Sequence, residues 1–345
     1  MVGVAEAARR VESQWTGRLR SLPILALSVH SACNCRCVMC DIWKANADKR
    51  ELSLGELDRH IADIRRLHVQ RVMVTGGEPL LHSNLWSLCE RLQEHGIRVT
   101  LVTTGLLIAP HAAAIGRVVD DVVVSIDGPP DVHDAIRRVR GGYDRIARGL
   151  AALRDERRRP RVIARSVVQR ANFRVLGDTI EAVRALPLDG LSFLAADVTS
   201  TAFNRATPWD SARQADVALS SADLEIYAAT IREVETRCRG ALRGFVKGGA
   251  RSLWRIHGYY TALAGAAAFP AVTCNAPWRS AVLEADGQLR PCFFHAPYPA
   301  VDGNSLAATL NGPSAVAFRR SLLTDANDTC RRCVCSLSMP VWADA

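Results

Sequence analysis

From residue 24 to residue 196 the chain alternates short apolar, β-rich runs with longer amphipathic ones. No other feature limits its fold so tightly. Strand-like runs occupy 24–30 (ILALSVH), 71–75, 98–103, 121–126 (DVVVSI), 162–169 and 191–196. Between them, apolar residues recur at helical spacing over 54–67, 85–95, 108–118, 143–157 and 176–186, with Ser53 placed as an N-cap. Strands separated by helices of this length form βαβ units and a parallel sheet. Six such repeats define an α/β fold and fit a partial (β/α)6 TIM-like barrel better than a doubly wound sheet. After residue 196 the pattern breaks. Residues 198–220 are polar and irregular, and helical patterns follow at 221–239 and 250–267. Segments 280–284 and 288–294 then flank Ala285-Asp286-Gly287, a hairpin signal. The expected organisation is an N-terminal extension (1–23), a barrel (24–220), a helical connection (221–270) and a small C-terminal α+β unit (271–345).

Composition excludes several classes. With 48% hydrophobic and 23% charged residues, wholesale disorder is ruled out. The most apolar stretch, 259–272, contains Gly and Pro and is too short to span a bilayer, so no membrane partner is expected. The net charge of +9 comes almost wholly from Arg, since Lys44, Lys49 and Lys247 are the only lysines. Its one dense run, RDERRRPR at 154–161, reads as a solvated face, and no nucleic-acid partner is expected.

Eleven cysteines stand at 33, 35, 37, 40, 89, 238, 274, 292, 330, 333 and 335. The N-terminus carries no secretory signal, so a reducing, cytoplasmic setting is expected, where clustered thiols bind metal or iron–sulfur rather than pair as disulfides. Cys89 and Cys238 stand alone within helical patterns and read as small buried hydrophobes. The segment SACNCRCVMCDIW (31–43) follows the first strand directly, where βα loops of a barrel build sites. Cys33, Cys37 and Cys40 have the spacing C-x3-C-x2-C. Three thiolates on one tight loop can each bind one iron of a four-iron cluster and leave the fourth iron open. A zinc site remains the alternative, with Cys35 or His30 as fourth ligand.

This cysteine spacing after a first strand resembles the radical S-adenosylmethionine (SAM) superfamily, and further stretches match in order. TGGEP (75–79) resembles the family's glycine-rich motif. The resemblance implies that the backbone of Gly76 and Gly77 and the carboxylate of Glu78 hold the SAM amino group. SIDGPPDVHDAIR (125–137) resembles the stretch after the fourth strand. It implies that Ser125, with Asp127 in the same motif, approaches the ribose or carboxylate of SAM, and that Arg137 pairs with the carboxylate. Arg138 and Arg140 compete for that last role. Thr103-Thr104-Gly105 stands where many relatives have Thr-Asn-Gly, so Thr104 departs from the pattern. Met39 replaces an aromatic near the adenine and can cover a ring through its thioether. Cys35 is a spare thiol or an alternative ligand.

The second constellation runs C-x12-G-x4-C from Cys274 to Cys292, followed by Cys330-Arg-Arg-Cys333-Val-Cys335. It resembles the SPASM domain of radical SAM enzymes, in its shortened "twitch" version with one auxiliary [4Fe-4S] cluster. The implied ligands are Cys274, Cys292, Cys330 and Cys333, with Cys335 as a possible substitute and a structural zinc site as the alternative. Residues 200–270 resemble nothing nameable.

The family reading implies two cofactors besides the auxiliary cluster: SAM and a SAM-binding [4Fe-4S] cluster. It also implies a reductant such as flavodoxin or ferredoxin and a 5′-deoxyadenosyl radical that removes a hydrogen atom from substrate. With 23 residues before the first strand, no separate leader-peptide domain is expected there. That tilts the expectation toward a small metabolite of sugar, cyclitol or nucleoside type, with maturation of a ribosomally made peptide as the alternative. A zinc-stabilised nucleic-acid-binding protein is the remote one. His133, His257, His295, Tyr259 and Tyr260 are further residues that could reach substrate.

Overall fold

The computed structural model describes residues 2–300 and 305–345. Its barrel strands are β1 (Ile24–His30), β2 (Arg71–Gly76), β3 (Arg98–Thr103), β4 (Asp121–Ser125), β5 (Arg161–Val168) and β6 (Gly190–Ala195). A helix α1 (Val4–Thr16) precedes them. The intervening helices are α2 (Leu54–Arg66), α3 (Leu85–Glu94), α4 (Ile108–Val118), α5 (Pro130–Arg137), α6 (Gly142–Arg154) and α7 (Leu176–Arg184). All six strands pair in parallel in sequence order, giving the expected partial barrel. The packing follows from period-2 alternation. Leu25, Leu27, Val72, Val74, Val122 and Val124 are fully buried or nearly so, whereas Met73, Thr75, Ser125 and Arg165 stand at less buried alternate positions. Truncating one such buried Leu to Ala costs about 2–5 kcal/mol.

Beyond β6 come α8 (Ser211–Val217), α9 (Ser221–Arg237), α10 (Arg239–Gly244) and α11 (Gly249–Leu263). Then follow α12 (Ala276–Arg279), β7 (Ser280–Leu283), β8 (Leu289–Arg290), α13 (Leu306–Leu310), α14 (Pro313–Thr324) and α15 (Asp328–Arg331). The hairpin extends the barrel sheet itself: β7 lies parallel to β1, with Leu25 opposite Ala281, and the sheet order is β6-β5-β4-β3-β2-β1-β7-β8. Its turn closes where expected, at Gly287 with φ +84°. β8 ends after two residues, because Pro291 has no N–H to continue the ladder.

The N-terminal residues pack against the C-terminal segment. Fully buried Arg10 donates to the carbonyls of Val341 (3.2 Å) and Ala343 (2.6 Å), and buried Arg319 donates to the carbonyl of Gly17 (2.7 Å). Among the described residues no helix is long and apolar enough to cross a membrane.

Candidate functional site

The N-terminal cysteine loop leaves β1 and is tied down from three sides. Asn46 brackets Cys33, accepting its N–H and donating to its carbonyl, both at 2.9 Å. The Trp43 indole donates to the Cys40 carbonyl (2.9 Å), and the Ile42 N–H points at Cys40 Sγ (3.4 Å). The N–H groups of Arg36 and Val38 donate to the carbonyls of Arg137 and Ile136, joining the loop to the end of α5. Buried Cys35 lies between Cys33 and Cys37, hydrogen-bonded to both thiols. That bond, offset by burial and helped by Arg137, pulls the Cys37 thiol down to about 6. Burial pushes Cys40 up to about 12.

The glycine-rich turn rests on the same loop. Gly77 N–H donates to the His30 carbonyl (2.7 Å) and Glu78 N–H to the Ala32 carbonyl (2.9 Å). A Cβ on Gly76, whose φ is +132°, would lie 2.3 Å from the His30 oxygen, and one on Gly77 would lie 2.1 Å from the Ala32 oxygen. Both glycines are therefore required by contact with the cysteine loop, whatever else they hold. Gly77→Ala is expected to displace Ala32 and its neighbour Cys33 and to remove about four irons per chain, one cluster's worth. Iron analysis of the anaerobically purified variant checks this.

Glu78 is fully buried. Its Oε1 accepts from Leu80 N–H (3.0 Å) and Thr103 Oγ1 (2.7 Å), its Oε2 from Thr104 N–H (2.6 Å). Burial raises its pKa, against the hydrogen bonds from Thr104 and Thr103. The carboxylate thus locks the β2 and β3 loops together. The Thr104 hydroxyl reaches Asn34 Oδ1 (3.0 Å) on the cysteine loop.

Ser125 ends β4, half-buried. Asp127, fully buried, pairs with Arg137 at 2.6 Å and accepts the Val167 N–H at 2.8 Å. Arg137 Nη1 lies 3.5 Å from Cys37 Sγ. Burial opposes the Arg137 charge, but Asp127, and then Cys37, hold its pKa above the ordinary arginine value. Met39 is buried beside these groups on the loop. Cys33, Cys37, Cys40, Gly76, Gly77, Glu78, Thr104, Asp127 and Arg137 are therefore joined by direct contacts at the C-terminal ends of β1 to β4. Arg138 takes a left-handed backbone (φ +54°) that ends α5.

The C-terminal cysteines come together from three segments. Cys292 lies within electrostatic reach of Cys330 and Cys274, Cys330 of Cys274, and Cys333 of Cys335, Cys274 and Cys292. Burial lifts Cys292 to about 11 and Cys333 to about 12, although the Phe294 and His295 N–H groups favour the Cys292 thiolate. Asn327 caps α15 through Cys330 N–H (3.0 Å). Asn275 ties the chain after Cys274 to the tail through Leu337 and Met339. Cys335 is exposed, its carbonyl 2.8 Å from Cys333 Sγ. His295 lies here, its Nε2 3.3 Å from Cys330 Sγ. The sequence marks His295 as a structural residue that could reach substrate, and the 35-residue separation hides its pairing with Cys330.

The other ring residues divide. His133 accepts the Asp127 N–H (3.2 Å), and burial holds its pKa near 3, so it is neutral. The His257 ring lies 3.2 Å from the Leu224 carbonyl, and Tyr260 pins β5 to the chain after β6 through Val168 and Ala196. His30 is engaged with Ala32 and Glu51. Among the described residues, the buried Tyr259 hydroxyl has no hydrogen-bond partner. Between the end of β6 and the C-terminal knuckle lies a cavity of about 150 Å³, lined among others by Asp197, Thr199, Phe294, Arg332 and Cys333.

Among the described residues, no three His, Cys, Asp or Glu side chains converge on a single metal-ion position. The donor chemistry fits a cluster instead. Three thiols stand on one short loop with a guanidinium and a backbone N–H directed at their sulfurs, and four more thiols gather at the other centre.

Fold and site define a partial-barrel enzyme with two cysteine centres. A family described as "Radical SAM superfamily" matches residues 27–182, and one described as "Iron-sulfur cluster-binding domain" (SPASM) matches residues 274–334. Residues 27–182 are thus a radical SAM domain and residues 274–334 a SPASM domain, with SAM and iron–sulfur clusters as the cofactors. It is 34% identical over 156 residues to the mycofactocin maturase MftC of Mycolicibacterium smegmatis, covering 44% of this chain and 39% of that one. It is 35% identical over 144 residues to the GTP 3′,8-cyclase of Xanthomonas campestris pv. campestris, covering 39% and 42%. The chain thus spans less than half the length of these curated relatives. Among solved structures it resembles Streptococcus suis SuiB bound to its precursor peptide SuiA (TM-score 0.63, 15% identity, 90% of this chain and 69% of that one). It also resembles anSMEcpe with bound AdoMet (TM-score 0.63, 17% identity, 90% and 86%).

Proposed function

We propose that this protein is a radical SAM maturase of a ribosomally made peptide. The observation that carries the reading is the 34% identity to a protein named a maturase. Peptide-bound SuiB and anSMEcpe among the similar folds agree with it. It replaces the expectation of a small metabolite, which rested on the 23 residues before β1. The length of that segment does not bear on what the barrel itself accepts.

Cys33, Cys37 and Cys40 hold the SAM-cleaving cluster in this reading. Gly76, Gly77, Glu78, Thr104, Ser125 and Met39 surround SAM, and the Asp127–Arg137 pair anchors its carboxylate side. A cluster held by these three thiols would supply the electron for reductive cleavage of SAM. The buried Asp127 carboxylate holds the Arg137 guanidinium in place beside Cys37, and the close-packed glycine turn holds the loop in register. Cys274, Cys292, Cys330 and Cys333 hold the auxiliary cluster, with His295 beside Cys330 and Cys335 as a substitute ligand. A cytoplasmic flavodoxin or ferredoxin supplies electrons.

A second reading, a nucleotide or sugar substrate, is favoured by the cyclase relatives. Incubation with SAM, dithionite and either short peptides encoded beside its gene or a nucleotide and sugar panel separates the two. A peptide is expected to raise 5′-deoxyadenosine release and to change mass. Turnover of a nucleotide or sugar with every peptide inert would overturn the maturase reading.

A further inference from the structure

Residues 198–220 read as polar and irregular in sequence, yet 197–213 make a dense set of contacts with the N-terminal cysteine loop. Buried Asp197, leaving β6, pairs with buried Arg205 at 2.7 Å. Arg205 also donates to the Met39 carbonyl (3.3 Å), and its guanidinium stacks on the Trp209 ring 3.9 Å from the centroid. Arg213 stacks on the same ring at 4.5 Å and donates to the Val38 carbonyl. The Trp209 indole donates to Asp41 Oδ2 (2.7 Å), and Asn204 reaches the Asp41 carbonyl (3.4 Å). Loop carbonyls 38, 39 and 41, interleaved with Cys37 and Cys40, thus take donors from one segment. Phe203 and Asn204 both adopt left-handed backbone, φ 61° and 65°. A bulky residue such as Phe203 holds that conformation only where its surroundings enforce it, whereas asparagine tolerates it. Phe203 in turn packs edge-on against Phe294, two residues after Cys292 (6.1 Å).

We infer that this segment is a clamp that fixes the N-terminal cysteine loop, sets the electrostatic field at its cluster and joins it to the C-terminal cysteine region. Arg205, Trp209 and Arg213 are its positioning residues. Carbonyl oxygens buried without donors are costly, so the clamp's donors hold the loop shape. Guanidinium charge favours the reduced, more negative cluster. The Arg205 charge is largely cancelled by Asp197. Arg213 pairs with the more exposed Asp216 (3.5 Å), so it keeps more of its charge than Arg205 does. The inference rests on the reading that Cys33, Cys37 and Cys40 hold a cluster.

The test uses anaerobic holoprotein with Trp209→Phe, which removes the indole donor, and Arg213→Gln, which removes the charge. Redox titration followed by electron paramagnetic resonance reads both clusters, the C-terminal one serving as internal reference. In Arg213→Gln the reduced fraction of the N-terminal cluster at a given potential is expected to fall about tenfold, or about 59 mV for a one-electron couple. In Trp209→Phe, hydrogen exchange at amides 36–41 is expected to quicken about tenfold or more. If Trp209→Phe does not fold, Arg213→Gln decides, because its side chain is partly exposed. An N-terminal signal present in the unaltered protein, with potential and exchange unmoved in the variants, overturns the clamp alone. No N-terminal signal in the unaltered protein overturns the cluster reading with it.

Discussion

Replacing Cys33, Cys37 and Cys40 together with Ala is expected to remove about half the iron, from about eight to about four per chain, and to abolish 5′-deoxyadenosine formation. The three thiols stand on a loop whose backbone is held by Asn46, Trp43, Arg137 and Ile136, none of which the substitution removes. The loop should therefore persist without its ligands, and the C-terminal thiols, drawn from other segments, should keep their iron. Four protein thiolates there leave no open iron, so SAM cleavage should not survive. Iron and sulfide analysis with product chromatography reads both outcomes. Residual 5′-deoxyadenosine would move the cleaving centre elsewhere, and one zinc in place of the remaining iron would make the C-terminal centre structural.

The second large effect is expected at Asp127→Ala. The Asp127 carboxylate is fully buried and is the ion-pair partner of nearly buried Arg137. Its other oxygen holds the Val167 N–H, and its backbone carbonyl accepts from Asn172 (2.8 Å). Deleting the carboxylate leaves a buried guanidinium without its counter-charge. Breaking one partner of such a pair costs about 3–5 kcal/mol. The urea midpoint of the anaerobic protein should fall accordingly. Arg137 also meets Cys37, and its carbonyl accepts from Arg36, so the N-terminal iron should be lost in parallel. A loss of stability below about 0.5 kcal/mol, the range of neutral surface changes, would show that the pair is not structural.

The parts of the fold legible in sequence are those carried by local apolar patterning. The six barrel strands and the helices between them declare themselves because each buries an aliphatic face. Helix α1 does not, because its buried face is Glu6, Ala7, Arg10 and Ser13, with Arg10 held by hydrogen bonds to distant carbonyls. Helix α14 hides in the same way behind buried Arg319. The short α5 was signalled only by Pro129-Pro130 and was read as motif rather than helix. Likewise, β7 looks like one arm of a separate hairpin until its parallel register with β1 is seen, a pairing across more than 250 residues of chain.

The site divides the same way. Cys33, Cys37 and Cys40 are legible because three ligands on one loop leave a spacing in sequence. The contacts of Glu78 with Thr103 and Thr104 and of His295 with Cys330, and the grip of Arg205 and Trp209 on the cysteine loop, are long-range side-chain pairings with no periodicity. The choice between peptide and metabolite is not written in strand patterning at all, since one barrel scaffold serves many substrates.

The most direct test of the account is 5′-deoxyadenosine release by the anaerobically purified, iron-replete protein on reduction with dithionite in the presence of SAM. The account predicts 5′-deoxyadenosine together with methionine in equal amounts, dependent on reductant. Iron-replete protein that binds SAM yet releases neither product under reduction would contradict it.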